Sequence, residues 1–203
     1  MCGGDYPGWK TPRHLTESNG EPFAARTIRL LKECGVTDIN ISSNHIEFKK
    51  LGVPVLHHDN NYCSYAYNNS EGHWCNAFYP TNEPTCYIFG DVLFTPQAIK
   101  TIVEYEGEDI MLFGSKPPFA PDYPKPYIEP FAFKAWDTQH LKEACEKVKE
   151  IEANNGFNRE PIAWEVWSVI RGTNPNEINY DYVAINDSTC DVDGLDEIQK
   201  VVR

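Results

Sequence analysis

The chain has no run of 18 or more apolar residues, the length a helix needs to cross a bilayer, and no charged-then-apolar leader before its first glycines. A cytoplasmic protein is therefore the expectation. It also lacks any C-x-x-C pair, and its seven cysteines are an odd number. That suits a reducing compartment in which each thiol is a small core residue or a free thiol rather than part of a disulfide framework. Basic residues are scarce, 18 Lys and Arg against 30 Asp and Glu, for a formal net charge of -12. Such a balance argues against nucleic acid or an anionic membrane as the main partner. An acidic protein that handles phosphates must concentrate positive charge locally, through a few cations or through bound metal. Internal repeats and low-complexity tracts are absent as well.

What is present is ordinary globular material: 203 residues, 41% hydrophobic and 24% charged. One domain spanning 1–203 is expected, long enough to bury a sizeable core. Fifteen prolines and 11 tyrosines point to long ordered loops.

Residues 1–20 read as a loop, with four glycines and two prolines among them. A helix then opens at Pro22, with Phe23, Thr27, Leu30, Leu31 and Cys34 on one face and Gly35 just beyond its end. Short strands are expected at Asp38–Ser42 and Val53–Leu56, around a weaker helix from about Glu47. A long polar and aromatic segment, His57–Gly72, exceeds the usual connection length. Its cluster His57, His58, Cys63, His73 and Cys75 matches none of the usual zinc spacings. After a short helix over His73–Tyr79 come a strand leading to Asp91, a helix from Pro96 to Tyr105 and a strand in DIMLFGS. Beyond a proline-rich loop, Lys116–Pro126, lie the extended run YIEPFAFK, a helix capped by Asp137 or Thr138, an apolar helix Ile162–Arg171, a strand YVAIN and a terminal helix Asp193–Val202. Alternating strands and helices predict an α/β fold, Rossmann-like and three-layered (α/β/α), with a mostly parallel mixed sheet.

Two stretches carry chemistry. Tyr87, Ile88 and Phe89 make an apolar run too short for a helix, and Gly90 then bends the chain so that Asp91 emerges at its end. Ligands bind outside the carboxyl ends of strands in open α/β sheets, so a carboxylate delivered there is suited to site building. GGDYPGWKTPRHL sets paired glycines beside Lys10 and Arg13. Glycines let backbone N–H groups approach a phosphate closely, and neighbouring cations stabilise charge on a leaving pyrophosphate. Either stretch also has a purely structural reading, as a turn.

The segment CGGDYPGWKTPRHLTESNGEPFAARTIRLLKECGVTDINIS resembles the opening of the sugar nucleotidyltransferase-like (NTP transferase) family, whose glycine loop leads to a Pro-Lys-x-Leu element, a G-x-P, a helix ending in Gly and a V-x-D-I strand. GDVLF at Gly90–Phe94 resembles the family's metal-binding Asp, and DVDGLDEIQKV the acidic segment that supplies a second ligand. The resemblance implies nucleotidyl transfer on a nucleotide-diphospho-sugar transferase fold. A nucleoside triphosphate would lie over Gly3 and Gly4, with its base near Gly72 and Asn76. Mg2+ would bridge Asp91, Asp193 and the phosphates, and the phosphate of a small acceptor would displace pyrophosphate in line. The chain departs from the family pattern in three places: Arg13 stands for the usual Lys, the glycine loop lacks its following Arg, with Lys10 a substitute, and only Met1 and Cys2 stand where the family has its first strand.

Acceptor binding is expected to fall to Lys125, Glu129, Trp164 and Glu165, since aromatic faces with an acidic neighbour suit a quaternary ammonium and lysines suit a phosphate. Two other classes fit the sequence: a metal-dependent glycosyltransferase, for which Asp191-Val192-Asp193 is a formal D-x-D, and a non-catalytic nucleotide-binding homologue.

Overall fold

The computed structural model describes residues 1–2, 11–58, 74–116, 128–157, 161–174, 177 and 181–192. In chain order the strands are β1 (Glu17–Ser18), β2 (Glu21–Pro22), β3 (Ile41–Ser43), β4 (Val55–His57), β5 (Thr85–Ile88), β6 (Val92–Leu93), β7 (Ile110–Ser115), β8 (Pro130–Ala135), β9 (Val183–Ile185) and β10 (Cys190–Asp191). The helices are α1 (Phe23–Glu33), α2 (Pro96–Glu104), α3 (Thr138–Ala153) and α4 (Ala163–Arg171), with 3-10 turns at Arg13–Leu15, Ile46–Leu51 and Trp74–Ala77. Among the described residues no helix is long and apolar enough to cross a membrane.

Local chemistry accounts for several of these boundaries. α2 starts where the Thr95 hydroxyl accepts from the Ala98 amide at 3.0 Å, and α3 where the Asp137 carboxylate accepts from His140 N–H at 2.8 Å. The turn Ile46–Leu51 stops at Gly52, whose φ of 72° is left-handed. β3 begins later than expected because Asn40 donates its side-chain amide to Asp38 at 2.8 Å, a local bond that competes with strand pairing.

The residues fall into two compact units. The first draws on Met1–Tyr79, Phe89–Glu104 and Asp187–Arg203, the second on Pro80–Ile88 and Tyr105–Asn186. In the first, β3 and β4 pair in parallel and β10 pairs antiparallel with β6, Asp191 opposite Val92. A core of Cys2, Leu15, Ala24, Ile28, Ile41 and Phe48 holds α1 against β3 and the 3-10 turns. In the second, the sheet order is β5-β8-β7-β9. β8 runs antiparallel to both neighbours while β7 and β9 are parallel, so the sheet is mixed. Phe133 on β8 meets Trp167 of α4 edge-on at 6.3 Å, which packs the apolar helix against the sheet.

β10 is only two residues long, so side chains must hold it. Thr95 donates its hydroxyl to Asp187 at 2.6 Å, Thr189 donates its amide to the same carboxylate at 2.8 Å, and the Thr95 amide donates to the Thr189 hydroxyl at 3.1 Å. Burial pulls the Asp187 carboxyl upward, yet the bonds from Thr95 and Thr189 leave it below its ordinary value. Asp187→Ala is expected to cost about 0.5–1.5 kcal/mol in urea unfolding. Because the folded value is depressed, the wild-type advantage is complete above about pH 4 and is lost as pH falls through the folded value.

Candidate functional site

Pro12 presents Arg13 at the start of a 3-10 turn, closed by the Thr16 amide on the Arg13 carbonyl at 2.9 Å. Its guanidinium is 5% exposed and forms an ion pair with Asp91, from a segment 78 residues away. A second nitrogen donates to the Val192 carbonyl at 3.4 Å, and the Val192 amide donates to the Asp91 carbonyl at 3.1 Å. Three segments thus converge: the one following the glycine loop, the Gly90–Asp91 bend and the end of β10. Burial would raise the Asp91 carboxyl, but the Arg13 guanidinium beside it outweighs that and holds it below the ordinary carboxylate range.

His14 lies close to this pair, 2% exposed, its ring edge-on to Phe48 at 5.8 Å. Burial, opposed by Asp91 and reinforced by Arg13, pushes its pKa down to about 3, so the imidazole is neutral. Its Nδ1 has no hydrogen-bond partner among the described residues. Sequence reading gave no sign of this buried imidazole, since a single histidine in a loop carries no periodicity.

The two residues before Gly3 take a strand-like position. The Cys2 amide donates to the Ser42 carbonyl of β3 at 2.8 Å, and the Gly90 amide donates to the Met1 carbonyl at 2.9 Å. A Cβ on Gly90 would collide with Cys2 Sγ and lie 2.8 Å from the Met1 carbonyl and 2.9 Å from the His14 ring. Backbone on one side cannot give way. Gly90→Ala is expected to cost about 1–3 kcal/mol by overpacking, read as a lowered urea midpoint at unchanged slope.

Asn76 sits in the turn Trp74–Ala77, whose Ala77 carbonyl accepts from the Ser42 hydroxyl at 2.9 Å. Ser42 therefore ties both the chain just before Gly3 and the turn that carries Asn76. Arg13, Asp91 and Asn76 all belong to the first unit, and Glu129, Trp164 and Glu165 to the second. The Glu129 carbonyl accepts from the Ser115 amide at 2.8 Å, and the Glu129 amide donates to the Ser115 hydroxyl at 2.9 Å. Trp164 and Glu165 are 1% and 3% exposed, and the Glu165 carboxylate accepts from the Ile162 amide at 3.0 Å at the start of α4. Gly3, Gly4, Lys10, Gly72, Lys125 and Asp193 lie outside the described residues.

Among the described residues no group of three or more His, Cys, Asp or Glu is arranged to hold a metal ion. The Asp91 carboxylate is nonetheless the type of donor that a hard cation takes. Asp91 already holds a cationic group against its carboxylate, and the bond from the Val192 amide ties the residue after β10 beside it. One or two carboxylates completed by phosphate oxygens and water are what magnesium takes.

No protein-family model and no curated protein matches the sequence. Solved structures do match. A protein from Bacillus anthracis described as a glucose-1-phosphate thymidylyltransferase superposes with a TM-score of 0.52 at 16% identity, over 95% of this chain and 85% of the other. The CTP:phosphocholine cytidylyltransferase of Streptococcus pneumoniae gives 0.51 at 16% identity, covering 95% and 89%. The inositol-1-phosphate CTP transferase of T. maritima gives 0.54 at 12% identity, covering 100% and 95%. The chain shares the Rossmann-like, mixed α/β nucleotide-diphospho-sugar transferase fold of these NTP transferases.

Proposed function

From that shared fold we propose that the protein is a magnesium-dependent nucleotidyltransferase, moving the NMP moiety of a nucleoside triphosphate to a phosphorylated small molecule with release of pyrophosphate. The observation that carries this reading is the pairing of Arg13, which follows the glycine loop, with Asp91 at the Gly90 bend. It joins a phosphate-type cation to a metal-type carboxylate.

In this reading the triphosphate lies over Gly3 and Gly4, its base toward Gly72 and Asn76. Asp91 and Asp193 would hold magnesium, which when bound supplies charge stabilisation at the phosphates. An oxygen of the acceptor phosphate attacks the α-phosphorus. A new P–O bond forms there as the bond to the α,β-bridging oxygen breaks, and pyrophosphate leaves with that electron pair. Arg13 and Lys10 stabilise the negative charge gathering on it. His14 is neutral and buried, so it adds no competing charge near Arg13 and Asp91.

The three similar structures are described by acceptors that are all phosphate monoesters: a hexose phosphate, phosphocholine and an inositol phosphate. A monoester dianion is thus the acceptor class that we assign. Pyrophosphate release with each of ATP, GTP, CTP, UTP and dTTP and each of those three monoesters tests the reading. Release by no pair, or release that is independent of the acceptor, would overturn it.

Acceptor contact is assigned to Lys125, Glu129, Trp164 and Glu165. Lys125→Ala and Glu129→Ala are expected to raise acceptor KM and leave triphosphate affinity unchanged. Trp164→Ala removes a side chain that is 1% exposed and is expected to cost about 3–5 kcal/mol of stability as well. Loss of triphosphate affinity in the first two variants would contradict this division of labour.

A further inference from the structure

Asp91 faces a cation that belongs to the protein itself. The Arg13 guanidinium, 5% exposed, lies on the carboxylate expected to take the divalent ion, and it also reaches the Val192 carbonyl at 3.4 Å. Asp91 is half-buried and the bond from the Val192 amide fixes its backbone, so the carboxylate has little freedom to serve two cations at once. A hydrated divalent ion and a guanidinium compete for the same carboxylate. Arginine, however, has a second anionic partner whenever a triphosphate is present, because its planar fork matches phosphate oxygens as well as carboxylate oxygens.

We propose that Arg13 is the resident cation of the Asp91 site in the free protein, so that the divalent ion gains access only when nucleotide phosphates draw the guanidinium away. This deepens the nucleotidyl-transfer reading, on which it rests. Nucleotide and ion then promote each other's binding, as linkage requires: whatever removes Arg13 from Asp91 on behalf of one does so for the other. The bare protein would leave magnesium unbound, and the ion would join the site together with its substrate. A compact lysine ammonium at this position does not hold Asp91 and the Val192 carbonyl together as the guanidinium does, so this gating is specific to Arg at residue 13.

The test uses Mn2+ alone as probe, with no nucleotide, the free ion being counted by its EPR signal. Arg13→Gln is expected to bind one Mn2+ roughly 5- to 150-fold more tightly than wild type, the usual range for coupled sites. The gain should vanish in the double variant Arg13→Gln/Asp91→Asn. Arg13→Gln also strands a partly buried carboxylate, so its folding is followed by thermal melting in parallel. Manganese should raise its Tm more than it raises that of wild type, which a purely structural ion pair would not produce. Equal affinities, a gain that survives Asp91→Asn, or a variant that no manganese concentration stabilises overturns the proposal. If wild type transfers nucleotides and the affinities are equal, only this inference fails. If Arg13→Gln gains the ion while no triphosphate yields pyrophosphate, the nucleotidyl-transfer reading fails instead.

Discussion

Asp91→Asn is expected to abolish magnesium-dependent pyrophosphate release and to lower stability at the same time. The first effect follows from the proposed metal site, because an amide brings no charge to a divalent ion. The second follows from geometry. Asp91 is the partner of Arg13, which is 5% exposed, and removing one member of a pair leaves the other uncompensated, a loss that reaches about 3–5 kcal/mol where both members are fully buried. The Asp91 side chain is 19% exposed and an Asn carbonyl still accepts a hydrogen bond, so a loss of roughly 1–3 kcal/mol is expected. A carboxylate that served the metal alone would have been energetically idle in the fold. Urea unfolding and turnover measured on the same preparation separate the two effects. A folded Asn variant that keeps wild-type magnesium-dependent turnover would remove Asp91 from the metal site.

Arg13→Ala carries the second large effect. If the guanidinium stabilises pyrophosphate as the α,β bridge breaks, kcat and kcat/KM should fall together by about 100- to 1000-fold. Arg13→Lys should recover part of that rate, since a compact ammonium still supplies charge. It should recover less of the stability, because one ammonium does not readily span both Asp91 and the Val192 carbonyl as the fork does. A rise in KM at constant kcat would make Arg13 a ground-state contact only. No change in either would return the Pro12–Leu15 turn to a structural role.

Much of the fold was legible because its signals are local. Thr95 and Asp137 each open a helix by a bond to an amide three residues on, which sequence can show. The apolar run at Tyr87–Phe89 and the glycine after it located the bend that presents Asp91. The antiparallel course of β8 was not legible, since an apolar strand looks the same whichever way its neighbours run. Neither was the Arg13–Asp91 pair as a contact, although both residues stood out separately, because nothing local records a partner 78 residues away. The placement of Met1 and Cys2 between Ser42 and Gly90 escaped for a related reason: two residues are too few to show a period.

The unit that holds the candidate site is interrupted twice, gathering Met1–Tyr79, Phe89–Glu104 and the stretch from Asp187 onward. During synthesis this has a direct consequence. The ribosome delivers Arg13 and Asp91 early, yet Cys190 and Asp191, which pair with Leu93 and Val92, emerge roughly 100 residues after Asp91. At about 5–20 residues per second that interval lasts several seconds or more. Throughout it β6 presents an unpaired edge, and Arg13 lacks the Val192 carbonyl. Translation order makes this return the closing event of the site, so a pause or a protease cut just before Asp187 would leave the nascent chain without the Val192 contacts to Arg13 and Asp91.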